Sequence, residues 1–116
     1  MQKDIKSMIM ESIEVKKVVY ETLSTQIESA IGTILEAIKN NKKILIAGNG
    51  GSSSQASHFS AELVGRYKIE RRALPCIALT TDTSIITAWS NDYSYDTVFE
   101  RQLEALGNAD DVFIAL

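Results

Sequence analysis

The sequence predicts an α/β fold in which a parallel sheet is flanked by helices and preceded by an N-terminal helical segment. Three observations carry this. Apolar residues recur in steps of three and four from Ile5 to Ile38, which is the helical period. From Lys43 onward, short apolar runs at Ile44 to Ala47, Leu74 to Leu79 and Asp111 to Leu116 lack polar alternation, as strands covered on both faces do. Helical patterns separate these runs, and strand–helix alternation marks a layered α/β domain.

The elements follow in order. Apolar residues stand at Ile5, Met8, Ile9, Ile13, Val18, Val19, Leu23, Ile27, Ile31, Ile34, Leu35 and Ile38, in steps mostly of three and four. Thr25-Gln26-Ile27-Glu28 reads as a capping box, so the spacing predicts a break between Thr22 and Thr25 and a second helix after it. Asn40-Asn41 ends that helix, because Asn tolerates a left-handed backbone. The first helix carries more apolar surface than a helix at a chain end readily buries, which predicts packing against another subunit. Ile44 to Ala47 is the first strand and Gly48 to Gly51 its turn. Ser52 or Ser53 then caps a helix running to about Arg66. Leu74 to Leu79 is the second strand. Asp82 opens a helix through Trp89 that Asn91-Asp92 interrupts. Asp96 to Leu106 is a further helix, with Val98, Phe99, Leu103 and Leu106 on one face and Gly107 as its stop. The stretch from Asp111 is the third strand. Residues 1–41 are thus a helical packing segment, and 42–116 the α/β part. A parallel sheet needs helices over both faces, so the chain is expected to be the front part of a domain.

Composition narrows the function classes. The formal net charge is −3, and the basic pairs Lys16-Lys17, Lys42-Lys43 and Arg71-Arg72 are diluted by acids, which disfavours a nucleic-acid partner. No apolar stretch reaches the roughly 20 residues of a membrane span. The N-terminus mixes acids with bases and lacks the apolar block of a signal peptide. Cys76 is the single cysteine and lies in an apolar run, which fits a buried structural thiol and a reducing compartment. A cytoplasmic location is expected.

The candidate chemistry begins at Gly48-Asn49-Gly50-Gly51-Ser52. Between a strand and a helix, glycines permit a tight turn and close approach of a ligand, and a helix N-terminus suits phosphate or sugar oxygens. No Lys follows as in a P-loop, and Ser53 stands where a dinucleotide fingerprint needs its third Gly. Spacing alone leaves a structural turn and a ligand cradle equally open. His58 and Glu62, at i and i+4, share a helix face. They suit Zn²⁺ ligation, and Glu62 suits a general base, although an ordinary solvated pair has the same spacing. They lie roughly one to three turns beyond the Gly-rich turn, so both can border the same pocket. Asp82, Asn91 and Asp92 lie at element ends where an open sheet binds ligands; helix capping and turn formation explain them as well. Trp89 reads as core or interface, and Tyr93 and Tyr95 carry no assignment.

The run Ala47 to Ser52, followed by Ser57-His58-Phe59-Ser60-Ala61-Glu62-Leu63-Val64-Gly65-Arg66-Tyr67, resembles the phosphoheptose isomerases of the sugar isomerase (SIS) superfamily. Pro75 to Asp82, Asn91-Asp92-Tyr93 and Val98 to Gly107 continue the resemblance in order, from about Lys42 to Leu116. It implies an SIS-type parallel sheet, a homotetramer with sites at subunit interfaces, and aldose–ketose isomerisation. Sedoheptulose 7-phosphate would become D-glycero-D-manno-heptose 7-phosphate through an enediol, for the heptose of bacterial surface glycans such as lipopolysaccharide. By the same resemblance Asn49, Gly50, Gly51 and Ser52 match the substrate-binding turn, and Asn91 and Asp92 a second substrate segment. His58 and Glu62 match ligands of one zinc ion per subunit, and Glu62 also matches the catalytic carboxylate. The partner acid/base His, the remaining zinc ligands and a phosphate loop are expected beyond Leu116, so this stretch alone is expected to be inactive. A non-catalytic SIS protein, such as the replication-initiator-associating regulator, is the rival; Gly51 and Glu62 favour the enzyme. A nucleotide-binding α/β domain is disfavoured by the missing Gly and Lys.

Overall fold

The computed structural model describes residues 1–116. The elements run α1 (Gln2–Lys39), β1 (Ile44–Ala47), α2 (Gly51–Val64), β2 (Cys76–Ala78), α3 (Thr83–Asp92), a 3₁₀ turn (Tyr95–Thr97), α4 (Val98–Leu106) and β3 (Val112–Ala115). The three strands are parallel in the order β2-β1-β3, with Ile44 opposite Cys76 on one side and Val112 on the other. The α/β architecture read from the sequence is therefore the observed one.

Contacts divide the chain into Met1–Thr33 and Ile34–Leu116. The sequence boundary at 41/42 falls later, because Ile34, Ala37 and Ile38 already belong to the core of the second unit. In the first unit every residue but Val19 is exposed. The expected break at Thr22 to Thr25 is absent; α1 is one helix of 38 residues. Thr25 caps no new helix, and just before it the Thr22 and Ser24 hydroxyls donate to the carbonyls of Val18 and Tyr20, four residues back along the same helix. Asn41 ends the helix region with φ 57°, as its residue type suggests.

In the second unit β1 is central, and its four residues are buried. Alternation along the strand splits them between two layers. Ile44 and Ile46 pack with Ala37, Ile38, Ala56, Cys76 and Ala78 under α2 and the end of α1. Leu45 and Ala47 pack with Leu79, Phe99 and Leu103 under α4. Val98 is fully buried on α4, and Gln102 donates from Nε2 to the carbonyls of Leu79 (3.0 Å) and Val98 (3.2 Å), which ties α4 to the end of β2. Burial pushes the Cys76 thiol up, as expected of a structural cysteine. At the opposite end of the sheet, Asp111 accepts from Lys43 N (2.9 Å), Lys43 Nζ (2.5 Å) and Asn108 N (2.8 Å). Those bonds lower its carboxyl from 3.8 to about 2.

Helix ends differ from expectation in two places. Gly50, not Ser52 or Ser53, is the N-cap of α2, and no side chain caps it. Gly107 does end α4, but with φ −76° rather than a left-handed backbone. A Cβ there would lie 2.7 Å from the Leu103 carbonyl, so close approach is what calls for glycine.

Candidate active site

The turn after β1 leaves the carboxyl end of the central strand, the edge where open α/β sheets bind ligands. Its three glycines differ in cause. A Cβ on Gly48 would meet Ser52 Cβ at 2.7 Å and the Ser52 backbone at 2.8 Å, so Gly48 lets α2 close onto the strand. Gly50 has φ 54° and ψ −121°, a backbone few L-residues adopt. Gly51 has neither constraint, since nothing lies within 4 Å of a Cβ placed there and its φ is ordinary. The fold alone does not explain Gly51.

The amides at this helix start are partly engaged. Ser52 N and Ser53 N donate to the Asn49 carbonyl, at 2.9 and 3.3 Å, and Ser54 N reaches the Gly50 carbonyl. The amides of Gly50 and Gly51 have no backbone acceptor. The anion-friendly end of α2 is therefore narrowed to these two N–H groups. Asn49 precedes the N-cap Gly50, and its Oδ1 accepts a hydrogen bond from Tyr95 OH. Nothing in the local pattern around Tyr95 marked it, because its partner is 46 residues away.

Further along α2, His58 Nε2 and Glu62 Oε1 lie 3.1 Å apart. His58 is well exposed and Glu62 partly so. Both border a cavity of about 600 Å³ whose other walls are Gln55, Phe59, Leu63, Tyr67, Ile69, Arg71 and Leu74. Asn49 to Ser52 are not among the residues that line this cavity. His58 and Glu62 lie roughly 10 and 16 Å along the helix axis from Gly51, at 1.5 Å per residue. Side chains on a helix tilt toward its N-terminus, so both lean back toward the turn.

Arg71, one of the paired basic residues of the sequence, closes the far end of α2. Its guanidinium donates to the carbonyls of Glu62, Leu63 (2.9 Å) and Gly65 (3.4 Å), where the helix leaves acceptors unpaired. Ser57 Oγ meets Thr80 Oγ1 at 3.2 Å and joins α2 to the loop after β2. Asp82 caps α3 by accepting from Ile85 N at 3.0 Å. Asn91 and Asp92 are the last residues of α3 rather than an interruption of it. They are exposed, with Asn91 Nδ2 donating to Asp92 Oδ1 at 3.0 Å, and no hydrogen bond joins them to the turn. Trp89 packs within the unit: it stacks on Tyr93 with ring centroids 4.2 Å apart, lies under Arg101 and donates to Thr97 Oγ1.

The His58–Glu62 pair offers an imidazole nitrogen and a carboxylate oxygen from one helix face, a fit to two of the four ligands of a tetrahedral zinc site. No third His, Cys, Asp or Glu joins them.

A sequence profile of the SIS domain family matches residues 9–116. A protein from Geobacter metallireducens named phosphoheptose isomerase is 48% identical over 116 residues, covering 100% of this chain and 61% of that protein. One of the same name from Aquifex aeolicus is 52% identical with the same coverage. Among solved structures, the phosphoheptose isomerase from Neisseria gonorrhoeae superposes with a TM-score of 0.91 at 40% identity, over 98% of this chain and 59% of that one. The one from Francisella tularensis gives 0.93 at 36%, over 98% and 60%. The chain spans about 60% of the length of the relatives it matches.

Proposed function

Because the chain belongs to the SIS domain family, we propose that it forms part of a phosphoheptose isomerase and carries that enzyme's catalytic carboxylate. The observation that carries the reading is the meeting of His58 and Glu62 on the cavity-lining face of α2, in a chain about half identical to proteins of that name. The reaction is the interconversion of sedoheptulose 7-phosphate and D-glycero-D-manno-heptose 7-phosphate.

In the ketose-to-aldose direction Glu62 takes a proton from the carbon beside the carbonyl. The C–H electron pair forms the C=C bond of an enediol, and the carbonyl electrons move to oxygen, which is protonated. Return of a proton to the neighbouring carbon by a second acid/base group, with loss of the adjacent hydroxyl proton, completes the exchange. The Gly50 and Gly51 amides and the Asn49 side chain offer donors for sugar oxygens, and Ser52 adds a hydroxyl. Asn91 and Asp92 supply a second set of polar groups from the end of α3. His58 and Glu62 would hold a zinc ion, which when bound supplies Lewis-acid stabilisation of negative charge on the substrate oxygens. The exposed apolar face of α1 supports assembly into a homotetramer. No helix is long and apolar enough to cross a membrane. The proposed setting is a cytoplasmic enzyme that feeds heptose to surface glycans.

The test is turnover of sedoheptulose 7-phosphate by full-length protein with and without Glu62→Gln, with metal analysis alongside. Loss of a general base lowers the rate by about 10²–10⁴-fold, so Glu62→Gln should fall in that range while the protein stays folded. Near-normal turnover would remove Glu62 as the base. Active enzyme without bound zinc or zinc dependence would remove the ligand role of His58.

A further inference from the structure

We propose that Tyr95 is a positioning residue that orients the Asn49 amide, so that the Gly-rich turn presents Asn49 Nδ2 as a hydrogen-bond donor to an oxygen of the ligand. The inference rests on the reading of that turn as part of the sugar-phosphate site.

Four observations lead to it. Asn49 stands one residue before the N-cap Gly50, so its side chain is free of a capping role. The helix α2 has no side-chain cap, and Asn49 Oδ1 accepts from Tyr95 OH. An amide has one oxygen and one NH₂ group, so fixing the oxygen fixes the nitrogen. Asn49 Nδ2 makes no hydrogen bond within the chain, and the residue is exposed.

The tyrosine is itself held. Ser94 Oγ accepts from Asp96 N at 3.1 Å and shapes the 3₁₀ turn. The Tyr95 ring meets Phe99 edge-on, with centroids 6.4 Å apart, and Phe99 packs against Leu45, Ala47 and Leu79. The hydroxyl is thus tethered to the core under β1, the strand that leads into the turn. Without it, the Asn49 amide can rotate and present oxygen or nitrogen equally. With it, the turn carries three donors with no acceptor in the chain: Nδ2 and the amides of Gly50 and Gly51. Such a cluster recognises carbonyl, hydroxyl or phosphate oxygens and discriminates against donor-only groups.

The experiment is steady-state kinetics of full-length protein on sedoheptulose 7-phosphate for wild type, Tyr95→Phe, Asn49→Ala, Asn49→Asp and the Tyr95→Phe/Asn49→Ala double variant. Tyr95→Phe keeps the ring and its packing and removes one neutral hydrogen bond, so KM should rise about three- to tenfold with kcat and Tm little changed. In the Asn49→Ala background the same change should have no further effect on KM. Asn49→Asp keeps an acceptor for Tyr95 but loses the donor, so its KM should rise at least as much as that of Asn49→Ala. An unchanged KM in Tyr95→Phe, an equal rise in both backgrounds, or an unchanged KM in Asn49→Asp overturns the inference alone. An ordinary KM in Asn49→Ala overturns the ligand role of the turn and this inference with it.

Discussion

Glycines of identical chemistry do different work in the turn after β1, and substitution separates them. Gly50→Ala forces an L-residue into φ 54°, ψ −121°, at a cost of about 1–3 kcal/mol, and should lower Tm whatever the ligand does. Gly51→Ala meets nothing within 4 Å and should leave Tm unchanged. If Gly51 contacts sugar phosphate, the same variant should raise KM; unchanged KM and Tm together would strip Gly51 of a role. Asp111 allows a test by pH. Its folded carboxyl titrates at about 2, below the ordinary 3.8, so the charged form is favoured by folding. The stability it contributes is present above about pH 4 and is lost as pH falls toward 2. Melting curves of wild type and Asp111→Asn should therefore differ at pH 6 and converge near pH 2; a constant difference across that range would sink the assignment. The i, i+4 spacing made the His58–Glu62 pair legible in the sequence. Neither the three causes for three glycines nor the Tyr95–Asn49 bond was, since each depends on atoms brought together by the fold.

At the scale of elements, the apolar run Ile44 to Ala47 announced β1 and its burial, because a strand covered on both faces needs no polar alternation. The helix junctions were less legible. Thr25-Gln26-Ile27-Glu28 has the residues of a capping box, but a Ser or Thr hydroxyl can bond back along a continuous helix as readily as it caps a new one. The buried Gln102 shows a polar residue serving packing. Its amide donates to the Leu79 carbonyl beyond the end of β2, so Gln102→Leu leaves that carbonyl unpaired beside the core. The expected cost is about 1–3 kcal/mol, read as a lowered denaturant midpoint with an unchanged m-value. Gln102→Glu, which removes the donor with almost no change of shape, should be at least as damaging. Were both variants as stable as wild type, the link between α4 and β2 would be incidental.

For the whole molecule, the first unit poses the larger energetic problem. Residues 1–33 form helix with Ile9, Ile13, Ile27 and Ile31 exposed along one face, and helices draw most of their stability from burying such a face. Assembly with other copies is the proposed solution. Ile13→Asp combined with Ile27→Asp should reduce the mass of the full-length protein in sedimentation equilibrium toward that of a monomer, while far-UV circular dichroism of the second unit's strands and helices is largely retained. A wild-type protein that sediments as a monomer, or a doubly charged variant that keeps its full mass, would count against the tetramer. The stripe was plain in the sequence because periodicity is local; what lies against it is not, because an interface belongs to more than one chain.

Cys76 gives the protein a built-in clock. Its thiol is buried where β2 lies against β1, and burial has made it less acidic than a free cysteine. A disulfide-exchange reagent can therefore reach it only during moments when that edge of the sheet parts, and the labelling rate counts those moments. A ligand that binds the closed state should slow the clock by the factor 1 + [L]/Kd. Binding of sugar phosphates can then be timed on a native side chain, in variants that no longer turn anything over.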